Sequence, residues 1–143
     1  MPYLLDTNHC SYIMNGLNKK PEWRKSQEEN TIKRFLSITD TTYMSEVSLG
    51  ELFYGAEAST NPPRIYQKIR DFRKSVPTAY LDENCWEIYA KIKPPLEKIG
   101  QCPEDLDLLI ACIAKKYSCV FVTNDRDFKS LPTGFLSIEN WAV

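Results

Sequence analysis

Twice in this chain a short apolar run stops on an aspartate and hands over to a new element. Tyr3-Leu4-Leu5 ends at Asp6, and Cys119-Val120-Phe121-Val122-Thr123 ends at Asn124-Asp125. Both runs read as short buried strands, and helical patterns fill the intervals between strands, which predicts an α/β architecture. In open α/β sheets ligands bind outside the carboxyl ends of the strands, so an acid delivered there is placed for chemistry. Each acid also has a purely architectural reading. Asp6 or Thr7 can cap the helix that follows, which carries Cys10, Ile13, Met14 and Leu17 at i, i+3, i+4 and i+7, and Asp125 can be a turn residue.

With 143 residues and 43% hydrophobic content, the chain reads as one globular domain over residues 1–143. It can bury roughly two-thirds of its unfolded surface. No apolar run approaches a membrane span and the start lacks a signal peptide's basic and apolar regions, so a cytoplasmic protein is expected. The 5 cysteines form no Cys-x-x-Cys pair and read as small core residues rather than disulfides or zinc ligands. A net charge of −1 does not advertise nucleic-acid binding, so local patches must carry that property.

Taken in order, Gly16 and Asn18 mark a helix stop, Lys19-Lys20-Pro21 is a linker, and a peripheral helix is expected from Glu22 to Ser37 with Trp23, Ile32, Phe35 and Leu36 as its contacts. Thr41 to Met44 reads as a strand and Ser45 to Ala58 as a helix. At about 100° per residue, Leu49, Leu52, Phe53 and Ala56 share its apolar face, while Glu51 falls among Val47, Tyr54, Gly55 and Ala58. That is an unusual setting for a solvating glutamate, although an exposed side chain is its plain alternative. After Asn61-Pro62-Pro63 a helix runs from Arg64 to Val76, with Arg64, Lys68, Arg70, Arg73 and Lys74 outside its apolar stripe. This densest basic patch is either a solvated face or a surface for phosphate or an acidic partner.

Pro77 to Leu81 reads as a strand, and a helix from Glu83 carries Trp86, Tyr89 and Ala90 on one side until Pro94-Pro95 kinks or ends it, with a second piece finishing at Gly100. The helix opened by Pro103-Glu104-Asp105 has Leu106, Leu109, Ile110, Ile113 and Tyr117 as its core stripe. Asp107 lies beside that stripe above Ala111 and Ala114, where another element can approach closely, and Asp105 faces the opposite flank. Leu136 to Ile138 reads as a last edge strand.

Asp6 and Asp125 thus end strands, and Glu51 and Asp107 lie early on flanking helices. If such carboxylates met, each pair at about 4 Å would repel by up to ~4 kcal/mol at an effective dielectric of 20 and would protonate or hold a cation. The candidate ligands are hard oxygens and His9, the only histidine, reads as an ordinary helix residue, so Mg²⁺ or Mn²⁺ fits better than zinc or copper. The chain has neither a phosphate-binding Gly-x-x-x-x-Gly-Lys loop nor a Gly-x-Ser-x-Gly elbow. An oxygen-only site without a nucleophilic side chain points to metal-assisted, in-line phosphodiester hydrolysis leaving a 5′-phosphate and a 3′-hydroxyl.

Leu4-Leu5-Asp6-Thr7-Asn8, Ser48-Leu49-Gly50-Glu51-Leu52-Phe53-Tyr54-Gly55, Asp107-Leu108-Leu109-Ile110-Ala111 and Val122-Thr123-Asn124-Asp125-Arg126-Asp127-Phe128 resemble, in order, the four signatures of PIN-domain nucleases of the VapC toxin type. The resemblance implies a three-layer fold with a central, mostly parallel, short-stranded sheet flanked by helices. It implies that Asp6, Glu51, Asp107 and Asp125 are the catalytic, metal-binding acids, that Asp127 is a further acid at the metal's edge, and that Asn8, Ser48 and Thr123 orient them. Either member of the Asp125/Asp127 pair can be the metal contact, Asp125 being nearer the strand end. The family implies an Mg²⁺- or Mn²⁺-dependent endoribonuclease, a homodimer, and an antitoxin partner. Pro94-Pro95 departs from the continuous helix common in that family. A non-cleaving RNA- or protein-binding module of the same fold is the alternative. A haloacid-dehalogenase-type phosphatase ranks below both, because Asp6 is followed by Thr7-Asn8 rather than by the Asp-x-Asp that chemistry needs.

Overall fold

All five strands expected from the sequence form, and all run parallel. They are β1 (Tyr3–Leu5), β2 (Thr42–Ser45), β3 (Thr78–Ala79), β4 (Val120–Val122) and β5 (Ile138–Glu139), in the sheet order β3-β2-β1-β4-β5. The computed structural model describes Met1 to Val143. Between the strands run α1 (Thr7–Leu17), α2 (Ser26–Ser37), α3 (Glu46–Glu57), α4 (Pro62–Arg73), α5 (Glu83–Lys98) and α6 (Asp105–Lys116). No helix is long and apolar enough to cross a membrane.

The pleat divides the core into two layers, because successive strand residues face opposite sides. Leu5, Met44 and Val122 pack with Cys10, Ile13, Leu49, Leu52, Ile69 and Phe72 from α1, α3 and α4. Leu4, Ala79 and Phe121 pack on the other face with Cys85 of α5 and Ile110, Ala111, Ile113 and Ala114 of α6. Cys10, Cys85, Cys112 and Cys119 are buried, and all five cysteines are free thiols.

The local departures from expectation have tertiary causes. Gly16 is not a stop signal: it lies inside α1, and a Cβ there would meet Ile32 Cδ1 at 2.5 Å, so its bare backbone lets α2 approach. The helix ends at Asn18, the second of the two expected stops, whose side chain donates to the Met14 carbonyl at 2.7 Å. The expected Glu22–Ser37 helix is a 3₁₀ turn at Pro21–Trp23 followed by α2, and Trp23 and Leu36 face solvent. α4 begins at Pro62 rather than Arg64, because Asn61 caps it and proline suits the first turn, where its missing N–H costs nothing. β4 spans three residues rather than five.

Pro94-Pro95 does not divide α5, which runs through both prolines. The carbonyls of Ala90 and Lys91 lose their usual donors, but both residues are exposed, so water replaces the bonds. On the opposite side Ile92 and Leu96 pack against Leu108 and Cys112, and this buried seam holds the helix together. The apolar face therefore contains Cys85, Ile92 and Leu96 rather than Trp86 and Ala90, which are exposed. In the same way Phe53, Leu106 and Tyr117, which periodicity places inside, lie at the surface, while Leu108, Ala111 and Cys112 are buried.

The Gly16 contact yields a stability prediction. Gly16→Val should destabilise the fold by roughly 2 kcal/mol through overpacking against Ile32. Gly55→Ala, at an exposed helical position with nothing nearby, should stabilise by up to about 1 kcal/mol. Denaturant titration of both variants checks the contrast.

Candidate active site

The parallel register gathers the strand ends. Leu5 is level with Met44 of β2 and with Val122 of β4, so the next residues, Asp6, Ser45 and Thr123, emerge at one edge. All three are buried. The Asp6 N–H donates to the Val122 carbonyl at 2.9 Å, and the residue then caps α1. Its Oδ1 accepts from the His9 N–H and sits against His9 Nδ1, both at 2.8 Å, and its Oδ2 accepts from the Thr123 hydroxyl at 2.7 Å. A carboxylate offers about four acceptor sites, so one site on Oδ2 stays free.

Thr7 ties a second acid to the first. Its hydroxyl donates to Glu51 Oε1 at 2.6 Å and lies 2.9 Å from the Ser48 hydroxyl. Ser48 is itself held by Ser45, the cap of α3, whose Oγ accepts from the Ser48 N–H at 2.9 Å. Glu51 is thus half-buried and anchored, not the solvated glutamate of the plain alternative. Beside it runs a groove of about 770 Å³ walled by Val47, Tyr54, Leu81, Leu106 and Leu109.

On the other side, Thr123 Oγ1 accepts from the Asp125 N–H at 3.1 Å, so one hydroxyl links the Asp6 carboxylate to the loop carrying Asp125. Asp125 Oδ1 in turn accepts from the Asp127 N–H at 2.9 Å and caps a 3₁₀ turn at Arg126–Ser130. Asp107, half-buried on the first turn of α6, reports how these charges meet. Burial first, then repulsion from Asp125 and Glu51 and more weakly from Glu104 and Asp127, pushes its carboxyl up to about 6. Asp105 takes no part: it points to α5, bonded to Lys93 at 2.6 Å and Tyr89 at 2.8 Å.

The donor set suits a hard divalent cation. Several carboxylates share one partly desolvated space, and positive charge there would relieve the repulsion that Asp107 registers. The side chains do not close on a single point: no three His, Cys, Asp or Glu groups are drawn close enough to chelate. Asp6, Glu51 and Asp125 are instead each held by a hydroxyl or backbone donor. The nearest thiol, Cys10, is fully buried in the core, and burial, with Asp6 and Glu51 adding to it, pushes it well above the usual thiol range.

Of the remaining residues nominated from the sequence, Ser48 and Thr123 lie within the network, and Asn8 is exposed and bonds to none of the acids. Asp127 is exposed and contributes its backbone. The basic residues spread along α4: Lys74 pairs with Asp71, Arg70 bonds Gln67, Lys68 is half-buried, Arg64 is exposed, and Arg73 lies 3.4 Å from the hydroxyl of Tyr80 after β3. Sequence reasoning missed Thr7 and His9. His9 had a legible signal, being three residues after a capping aspartate, a spacing at which side chains of the first turn reach back to the cap.

Comparison with known proteins finds relatives along nearly the whole chain. The ribonuclease VapC2 of Rickettsia felis is 31% identical over 142 residues, covering 99% of this chain and 98% of that protein. The tRNA(fMet)-specific endonuclease VapC of Salmonella typhimurium is 28% identical over 142 residues, with 99% and 98% covered. The crystal structure of VapBC2 from Rickettsia felis, bound to a DNA fragment from their promoter, superposes with a TM-score of 0.81 at 29% identity, covering 99% of each chain. The PIN domain model matches residues 3–133, and the chain belongs to the PIN domain family.

Proposed function

We propose that this protein is a metal-dependent endoribonuclease, the toxin of a toxin–antitoxin pair, acting as a single domain over residues 1–143 with an antitoxin and a second copy of itself as partners. One observation carries the reading: Asp107, on α6, is pushed up to about 6 by burial and by Asp125 and Glu51, so acids from three separate elements share one space. The names of the similar proteins, a ribonuclease and a tRNA(fMet)-specific endonuclease, supply the substrate class. Asp6, Glu51, Asp107 and Asp125 would hold the cation, Mg²⁺ or Mn²⁺, with Asp127 at its edge. Bound there, it would supply Lewis acidity for in-line hydrolysis of a phosphodiester.

The chain's own groups do the rest. Thr123 fixes Asp6 relative to Asp125, and Thr7 fixes Glu51 relative to Asp6, so the ligands keep their spacing without collapsing on one another. The apolar groove beside Glu51, with the exposed ring of Tyr54 on its wall, suits an unstacked base of single-stranded RNA. Arg73, beside the Tyr80 hydroxyl after β3, suits a phosphate.

Three measurements test this. Asp6→Asn and Asp107→Asn should each lower Mn²⁺-supported cleavage of single-stranded RNA by at least about 100-fold, since even residues behind the ligands cost about 10- to 100-fold. RNA retained but never cut by the wild type would favour the non-cleaving binding module. Reversing Arg70, Arg73 and Lys74 to Glu should weaken RNA binding and flatten its salt dependence by about 0.7 in log–log slope for each phosphate that is no longer neutralised. An unchanged slope makes that face mere solvation.

The third concerns pH. Because the folded-state value of Asp107 lies above that of the unfolded chain, the metal-free fold holds an extra proton between the two values. Stability of the metal-free protein should therefore fall as pH rises from about 4 through about 6, and added Mn²⁺ should restore it above pH 6. Thermal unfolding across that window, with and without Mn²⁺, reads both effects; Asp107→Asn should flatten the metal-free profile.

A further inference from the structure

His9 has no solvent exposure, and both of its ring nitrogens are engaged. Nε2 faces the backbone N–H of Trp141 at 3.3 Å, and Nδ1 faces Asp6 Oδ1 at 2.8 Å. A backbone N–H is a donor under all conditions, so Nε2 must present its lone pair to it. The ring proton then resides on Nδ1, and His9 is a neutral donor to Asp6. The ring is held in place by more than these two bonds. Tyr12 packs edge-on against it with centroids 5.4 Å apart, and the Tyr12 hydroxyl accepts from Asn124 beside Asp125 at 3.1 Å. The backbone donor is equally well fixed: the Trp141 ring is buried, edge-on to Tyr3 at 5.1 Å, and its indole N–H bonds Glu139 at 3.0 Å.

We infer that His9 is a positioning residue for Asp6, locked as the Nδ1–H tautomer by the Trp141 backbone. His9 and its own N–H together use both acceptor sites of Oδ1, and Thr123 uses one on Oδ2. The carboxylate can therefore neither rotate about its Cβ–Cγ bond nor exchange oxygens without breaking a buried hydrogen bond. Its single free acceptor site is kept for a cation. A neutral donor suits this task, because an imidazolium would spend the same geometry neutralising the charge that the cation needs. The inference rests on the metal-dependent reading above for its purpose, though not for the hydrogen-bonded arrangement.

His9 is the only histidine, so ¹⁵N-histidine labelling yields a spectrum of one imidazole. In the metal-free protein at neutral pH, long-range ¹H–¹⁵N correlations should show Nδ1 protonated and Nε2 bare; the reverse pattern, or an imidazolium, overturns the assignment. Mn²⁺ titration calorimetry then compares the wild type with two variants. His9→Leu removes the donor and should weaken Mn²⁺ binding by about 10- to 100-fold. His9→Asn places an amide donor where Nδ1 stood and should recover most of that loss although it abandons Trp141. Equal Mn²⁺ affinity in wild type and a folded His9→Leu, or His9→Asn binding as weakly as His9→Leu, makes the histidine a packing residue only. If His9→Leu does not fold, the tautomer and the His9→Asn affinity decide. If the wild type binds no Mn²⁺, the nuclease reading fails and the positioning assignment stands or falls on the imidazole spectrum.

Discussion

The parallel register of the three central strands underlies everything at the site. Leu5 is flanked by Met44 and Val122 on one level, and the residues one step further on are a carboxylate and two hydroxyls. A one-residue slip of either neighbouring strand would turn its side chains to the opposite face and remove the Thr123–Asp6 bond or part Thr7 from Ser48 and Glu51. The slip is opposed by burial on both faces, since Leu4, Leu5, Met44, Phe121 and Val122 are almost wholly enclosed. The apolar strands thereby set the geometry of the polar residues that follow them, and the core and the site are specified by the same few rungs.

A second principle is separation. Carboxylates brought together in a partly buried space repel, and the usual escape is to protonate or to swing into solvent. Here three of the acids are tethered: Asp6 by His9 and Thr123, Glu51 by Thr7, Asp125 by the Asp127 backbone. Asp107 has none of these tethers, and burial, with repulsion from Asp125 and Glu51, raises its proton affinity. Short hydroxyl side chains are well suited to the tethering role, since they donate without adding charge.

Much of this was legible in the sequence where the determinant was local. A strand that ends in an acid and a helix that places Glu51 off the apolar stripe need only a few neighbouring residues to be read, and the nomination of Asp107 over Asp105 followed from helix geometry alone. What could not be read depended on distant partners. Gly16 looked like a terminator because Ile32 is invisible from its neighbourhood; Pro94-Pro95 looked like a break because the seam that carries α5 through it is made with α6. Leu106 and Tyr117 fit a helical stripe as well as Leu108 and Cys112 do, and only the packing of α5 and the sheet decides which side is covered. His9 looked ordinary because its second partner is the backbone of Trp141, a contact 132 positions away in the chain.

The place of β1 in the middle of the sheet has a consequence for how the protein comes into being. The strands on one side of it, β2 and then β3, are complete by Ala79, but its neighbour on the other side, β4, begins only at Val120. During synthesis from the amino terminus, half of the sheet can assemble while the far edge of β1, carrying Leu4 and Leu5, waits open, an interval in which such an edge invites association with other chains. The Thr123–Asp6 bond spans 117 residues and can form only when the two halves join. An incomplete chain therefore has its acids but not their orientation, and competence arrives together with the last long-range contacts of the fold.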